Sequence, residues 1–210
     1  MRFGLIDYCS GNLRSVAKAI DAVGGQVRTY ASPAGLDQED VLVLPGVGAF
    51  GDCVTQLRSR GLWDPIAAWL RDQRPFLGIC LGYQLLFESS EESAGVAGFA
   101  HFHGTVRRFR SDLVKVPHIG WNTIEPTQPA AALWRDLAAN PHVYFVHSFY
   151  PAPEDSTIVA AHCEYGGRFA AAVTGPGPLL AVQFHPEKSQ RAGLTLLRNF
   201  IASIETPARA

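Results

Sequence analysis

Three short apolar runs limit what this chain can become. Residues 3–6, Val41–Leu44 and Phe76–Ile79 each end at turn-forming residues and are too short for helices. Their nearly unbroken apolar character belongs to strands covered on both faces, as in a parallel sheet. Between them Leu13, Val16, Ala17, Ile20 and Val23 recur at helical spacing, and Leu57, Ile66, Trp69 and Leu70 do so further on. Strand alternating with helix predicts right-handed βαβ units and a three-layer α/β sandwich through about Glu88. Short β-like runs then follow one another at 105–109, 113–116, 143–146, 157–162, 168–173 and 179–184. A last helix is expected over 189–204, with Ser189 as its N-cap. Residues 1–210 read as one domain around a mixed, mainly parallel sheet flanked by helices.

Charge narrows the function classes. Asp plus Glu at 19 against Lys plus Arg at 18 leave a net charge of -1, which offers a nucleic-acid backbone nothing to bind. The longest apolar stretch, 41–51, is broken by Pro45 and several glycines, short of the roughly 20 residues that span a bilayer. The start runs directly into a strand pattern with no charged leader or cleavage site, so a cytoplasmic protein is expected. Cys9, Cys53, Cys80 and Cys163 are widely spaced without a C-x-x-C pair and read as thiols. His101 and His103 have no third ligand at metal-site spacing, so neither a metal nor a cofactor is expected.

The strand 76–79 runs into Cys80-Leu81-Gly82 and then a helical pattern from Tyr83 to Glu88. Gly78-x-Cys80-x-Gly82 between strand and helix is the arrangement of a nucleophile elbow, where small residues two before and two after let the backbone bend tightly. A helix N-terminus favours thiolate over thiol, and the Leu81 N–H is placed for an oxyanion. A thiolate needs a base and the base an orienter. His185-Pro186-Glu187 follows the run 179–184, and Pro186 keeps His185 extended, so that residues i and i+2 project to one side. Glu187 can then fix the imidazole tautomer while the other nitrogen serves Cys80. Gly46-Val47-Gly48-Ala49-Phe50-Gly51 matches Gly-x-Gly-x-x-Gly, but no acidic residue stands at a strand end about 20 residues on. A glycine strand whose N–H groups complete an oxyanion hole fits better.

These segments resemble the class I, triad-type glutamine amidotransferases. Gly11-Asn12-Leu13-Arg14-Ser15, Leu44-Pro45-Gly46-Val47-Gly48-Ala49-Phe50, Gly78-Ile79-Cys80-Leu81-Gly82-Tyr83-Gln84, Val116-Pro117-His118-Ile119-Gly120-Trp121-Asn122, Phe145-Val146-His147-Ser148 and Gln183-Phe184-His185-Pro186-Glu187-Lys188-Ser189 carry the likeness nearly end to end. The Pro-Gly-Val-Gly, Pro-His-x-Gly-Trp-Asn and Glu-Lys-Ser segments are similar to the histidine-pathway branch. The resemblance implies that Cys80 attacks the side-chain amide of glutamine, that His185 protonates the departing ammonia and that Glu187 orients His185. It implies an oxyanion hole from Leu81 and the backbone of Gly46, Val47 and Gly48, and glutamine held by Gln84, Glu92, Ser148 and Phe149. It also implies a partner, a (βα)8-barrel cyclase subunit fed with ammonia, which Asn12, Trp121, Tyr144 and Lys188 would face. His118 and His147 are assigned structural roles, and Cys9 is read as a packing thiol.

Overall fold

The computed structural model describes residues 1–8 and 12–205; Cys9, Ser10 and Gly11 lie outside the described residues. The first half alternates as the apolar runs predict. Strand β1 (Arg2–Ile6) leads to helix α1 (Leu13–Asp21), edge strand β2 (Gln26–Tyr30), β3 (Val41–Leu44), α2 (Phe50–Ser59), α3 (Trp63–Arg71), β4 (Phe76–Ile79) and the one-turn helix α4 (Leu81–Gln84). The second half adds β5 (Phe87–Ser90), β6 (Phe102–Arg108), β7 (His118–Pro126), β8 (His142–His147), β9 (Phe149–Pro153), β10 (Val159–Glu164), β11 (Arg168–Gly175), β12 (Leu179–Val182) and the long helix α5 (Gln190–Glu205).

Among the described residues the main sheet has nine strands, in the order β2-β1-β3-β4-β12-β11-β10-β7-β8. Strands β2, β1, β3, β4 and β12 run parallel, and from β12 through β11, β10 and β7 to β8 each pair is antiparallel. Every residue of β3, β4 and β12 is buried, because both faces are covered. Their side chains alternate between two cores. Val41 and Val43 pack with α1 and α5 through Ile20, Leu196 and Phe200, whereas Leu42 and Leu44 pack with α2 and α3 through Leu57, Ile66 and Trp69.

Four details differ from the sequence pattern. Strands β5, β6 and β9 form a separate three-stranded sheet, whose Phe87, Phe102 and Val106 join the second core. The helical stretch from Tyr83 to Glu88 stops after Gln84, and Phe87 and Glu88 belong to β5. The periodicity from Leu57 to Leu70 is two helices, separated at Gly61 with φ +67°. Residues 113–116 form turns rather than a strand. A short β-like run, here Leu113-Val114-Lys115-Val116, fixes a secondary element only when a neighbouring strand or helix covers it, and Leu113 is 56% exposed.

Candidate active site

In open α/β sheets, ligands collect beyond the carboxyl ends of the parallel strands. Here the ends of β3, β4 and β12 bring Gly46 to Gly48, Cys80 and His185 together, and the turn from β8 into β9 adds His147, Ser148 and Phe149. A cavity of about 290 Å³ opens there, lined by Val47, Gly48, Cys80, Leu81, Gln84, Glu92, Ser148 and Phe149 among others. His185 and Glu187 stand behind Cys80 and do not line it.

Cys80 occupies φ +54°, ψ −105°, a conformation that side-chain-bearing residues rarely adopt. The surrounding packing enforces it. Strand β4 is held between β3 and β12, with the Cys80 N–H on the Val182 carbonyl at 2.8 Å. The chain then reverses into α4 with no room for side chains on either flank. A Cβ on Gly82 would strike the Leu44 carbonyl, and one on Gly78 would lie 3.1 Å from both the Ala181 Cβ and the Gly82 oxygen. The two glycines of the elbow are therefore set by close approach.

His185 Nδ1 and Glu187 Oε1 are 2.8 Å apart, with both side chains almost wholly buried. Nε2 is buried and makes no hydrogen bond of ordinary geometry; the group that bears on it is the Cys80 thiol. Burial works against charge on this ring, but the interactions with Cys80 and Glu187 outweigh it and push the pKa up to about 10. The imidazolium is thus the favoured form beside the sulfur. Cys53 and Cys163 contrast with it: burial raises each thiol to about 12, leaving two inert packing groups.

Ser189 departs from its expected role. Its carbonyl accepts the first bond of α5, from Gly193 at 3.1 Å, so the backbone is that of an N-cap. Its hydroxyl, however, donates to the His185 carbonyl at 2.7 Å and accepts the Tyr144 N–H at 3.0 Å, and the His185 N–H donates to the Tyr144 carbonyl at 2.9 Å. His185 is pinned to β8 through its own backbone.

The other predicted residues fall at the cavity rim or beyond it. Gln84 is buried in α4 and donates to the Phe149 carbonyl at 3.0 Å. Glu92, in the turn after β5, accepts the Phe50 N–H at 2.7 Å, which places its carboxylate at the start of α2. The Leu81 N–H points to the Gly46 carbonyl at a long 3.4 Å, and Gly48 has φ +104°. Trp121 is 47% exposed, with its ring edge-on to Tyr144 at 6.0 Å, and Lys188 Nζ lies 5.8 Å from the Tyr144 ring centre. Asn12 is exposed at the start of α1, which packs against the turn Pro186–Lys188.

His118 and His147 form a directed chain. His147 Nδ1 lies 2.8 Å from the Phe149 carbonyl and must donate, so its Nε2 accepts from His118 Nδ1 at 3.1 Å. His118 Nε2 then accepts from Asn122 Nδ2 at 3.4 Å. Both rings are neutral: burial lowers His118 to about 4 and His147 to about 3. Because these values lie below the unfolded value, stability is full above pH 6.5 and is lost as pH falls from there towards 4. Going from pH 6 to pH 5, urea titrations should show a loss of roughly 2 kcal/mol, largely abolished by His118→Gln with His147→Gln. An unchanged slope in the double variant would mean that other groups govern the acid limb.

A cysteine beside a carboxylate-held histidine at the strand ends suits covalent cleavage of an amide, and comparisons with known proteins give the class. Residues 4–204 match the family described as glutamine amidotransferase class-I. The chain is 48% identical over 202 residues to the imidazole glycerol phosphate synthase subunit HisH of Microcystis aeruginosa, covering 96% of this chain and 95% of that one. It is 49% identical over 202 residues to the protein of the same name from Syntrophotalea carbinolica, covering 93% and 97%. A crystal structure of a glutamine amidotransferase superposes with a TM-score of 0.74 at 18% identity, covering 97% of this chain and 99% of the other. The chain belongs to the class I glutamine amidotransferase family and, within it, to the family of the HisH subunits.

Proposed function

We propose that this chain hydrolyses glutamine to glutamate and ammonia and delivers the ammonia to a (βα)8-barrel cyclase subunit that makes imidazole glycerol phosphate. The observation that carries the reading is Cys80 on its left-handed elbow against the buried, Glu187-held His185. The thiolate attacks the side-chain amide carbon. As the C–N bond breaks, His185 gives its proton to the leaving nitrogen, and a glutamyl thioester remains. Water then attacks the thioester, His185 takes its proton, and glutamate leaves with Cys80 restored. The Leu81 N–H and the backbone at Gly46, Val47 and Gly48 receive the oxyanion, which requires the Gly46 carbonyl to move off Leu81. Gln84, Glu92 and the backbone of Ser148 and Phe149 hold the amino-acid portion of the substrate.

The cluster of Trp121, Tyr144 and Lys188, with Asn12 beside it, is the face offered to the cyclase. An exposed Trp with a neighbouring cation is the sort of anchor a protein interface buries. No described helix is long and apolar enough to cross a membrane, and action in the cytoplasm as a single glutamine amidotransferase domain is part of the proposal. The test is ammonia release by the purified chain, alone and then with the cyclase and its nucleotide substrate. Low activity alone and a rise of at least about tenfold with the liganded cyclase are expected. High activity indifferent to the cyclase would mean a free-standing hydrolase.

A further inference from the structure

Gln183 is fully buried, two residues before His185 in the bend that follows β12. Its Nε2 lies 3.6 Å from Cys80 Sγ, and its Oε1 accepts from Gln84 Nε2 at 3.2 Å. The direction of these bonds is fixed from the far end. The Phe149 carbonyl can only accept, so the Gln84 amide must turn its NH2 towards it. The same NH2 then meets Gln183, which has to present its oxygen there. Only the NH2 of Gln183 remains for the sulfur. The backbone holds this orientation, since the Gln183 N–H donates to the Ala171 carbonyl at 2.8 Å on β11.

We propose that Gln183 is a further catalytic residue, a donor that holds the Cys80 sulfur as the thiolate and locks it to the glutamine-holding side chain Gln84. A donor with no acceptor atom facing the sulfur favours S⁻ over S–H, because the charged form makes the stronger hydrogen bond. Once the thioester forms, the sulfur carries no charge and that bond weakens. The stabilisation therefore acts on free enzyme and on the departing thiolate at deacylation. The linkage also explains why a wholly buried amide stands in an otherwise apolar strand end beside Phe184. The titratable groups facing the sulfur are His185, with Glu187 behind it, and the neutral His147 in the cavity wall. The His185 imidazolium is a second donor to the sulfur, and the Val146 carbonyl, 4.0 Å from Sγ, is the acceptor a protonated thiol would use.

This inference rests on Cys80 being the nucleophile, and the experiment separates the two. The full chain is alkylated with iodoacetamide across pH 5–10, and modification at Cys80 is followed by mass spectrometry in the parent protein, Gln183→Met and Gln183→Glu. Methionine keeps the length of the side chain without a donor; glutamate replaces the donor with a negative charge. The alkylation midpoint should move up by about one pH unit in Gln183→Met, with roughly tenfold slower alkylation at pH 7, and further in Gln183→Glu. Thermal unfolding of each variant reports whether it is folded, and either folded variant suffices. Superimposable profiles in a folded variant, with Cys80→Ala inactive as a glutaminase, would overturn the role of Gln183 alone. An active Cys80→Ala would overturn the underlying reading instead.

Discussion

Cys80→Ala should release ammonia from glutamine at least about 10⁴-fold more slowly than the parent chain, with or without a cyclase, because removing the nucleophile of a triad removes the covalent route altogether. The backbone supplies an internal control. At φ +54°, alanine suffers the same conformational cost as cysteine, so Cys80→Ala should retain the fold. Cys80→Gly also removes the sulfur but relieves the strain, and should unfold at higher denaturant by about 1 kcal/mol relative to Cys80→Ala. Ammonia assays and urea titrations of the pair read the two effects separately. Residual glutaminase activity in either variant would place the nucleophile elsewhere; equal stability would mean that the elbow is not strained.

The second large effect is steric. In Gly82→Ala the new Cβ meets the backbone of Leu44 at its carbonyl, with the carbonyl carbon at 2.8 Å, and a strand buried on both faces cannot yield. Helix α4 would have to retreat, taking Cys80 and Leu81 with it. Overpacking of this kind is expected to cost about 3 kcal/mol in denaturant unfolding. Displacement of the nucleophile by a fraction of an ångström or more is expected to lower ammonia release about 100-fold. Gly78→Ala, whose Cβ has contacts near 3.1 Å, should be milder on both counts. A neutral Gly82→Ala would show that the elbow does not depend on this close approach.

The parallel half of the sheet was legible because β3 is wholly apolar and β4, like β1 after Arg2, is interrupted only by a glycine, a pattern that a doubly covered strand needs. The edge strand β2 was not, since most of its residues face solvent and nothing in Gln26–Tyr30 repeats. Strand β7 escaped for a related reason: Ile119 and Trp121 are exposed, so its outward face looks apolar and its inward face carries His118. At the site, the Gly-x-Cys-x-Gly spacing and a carboxylate two residues after a histidine pointed to Cys80, His185 and Glu187. Pro186–Lys188 is a 3-10 turn, however, and not the extended chain expected from the proline, so Glu187 comes back to His185 through a turn. Gln183 and Ser189 were not legible. Their contacts cross the chain, from Gln183 to Cys80 over 103 residues and from Tyr144 to Ser189 over 45, and no local pattern encodes such a partner. The place of Gln183 two residues before His185 was the available hint.

The pairing of β12 beside β4, Phe76–Ile79 against Leu179–Val182, has a consequence for how the molecule comes into being. Cys80 stands at the end of one of these strands and His185 just past the other, so the reactive pair exists only after the chain has closed a loop of about a hundred residues, a slow and late event in folding. During synthesis β1 to β4 can assemble with α1 to α3 while the sulfur still lacks its base. A stalled or truncated polypeptide therefore carries a cysteine that cannot cleave glutamine. Glutamine cleavage through this pair can begin only when the last strand docks.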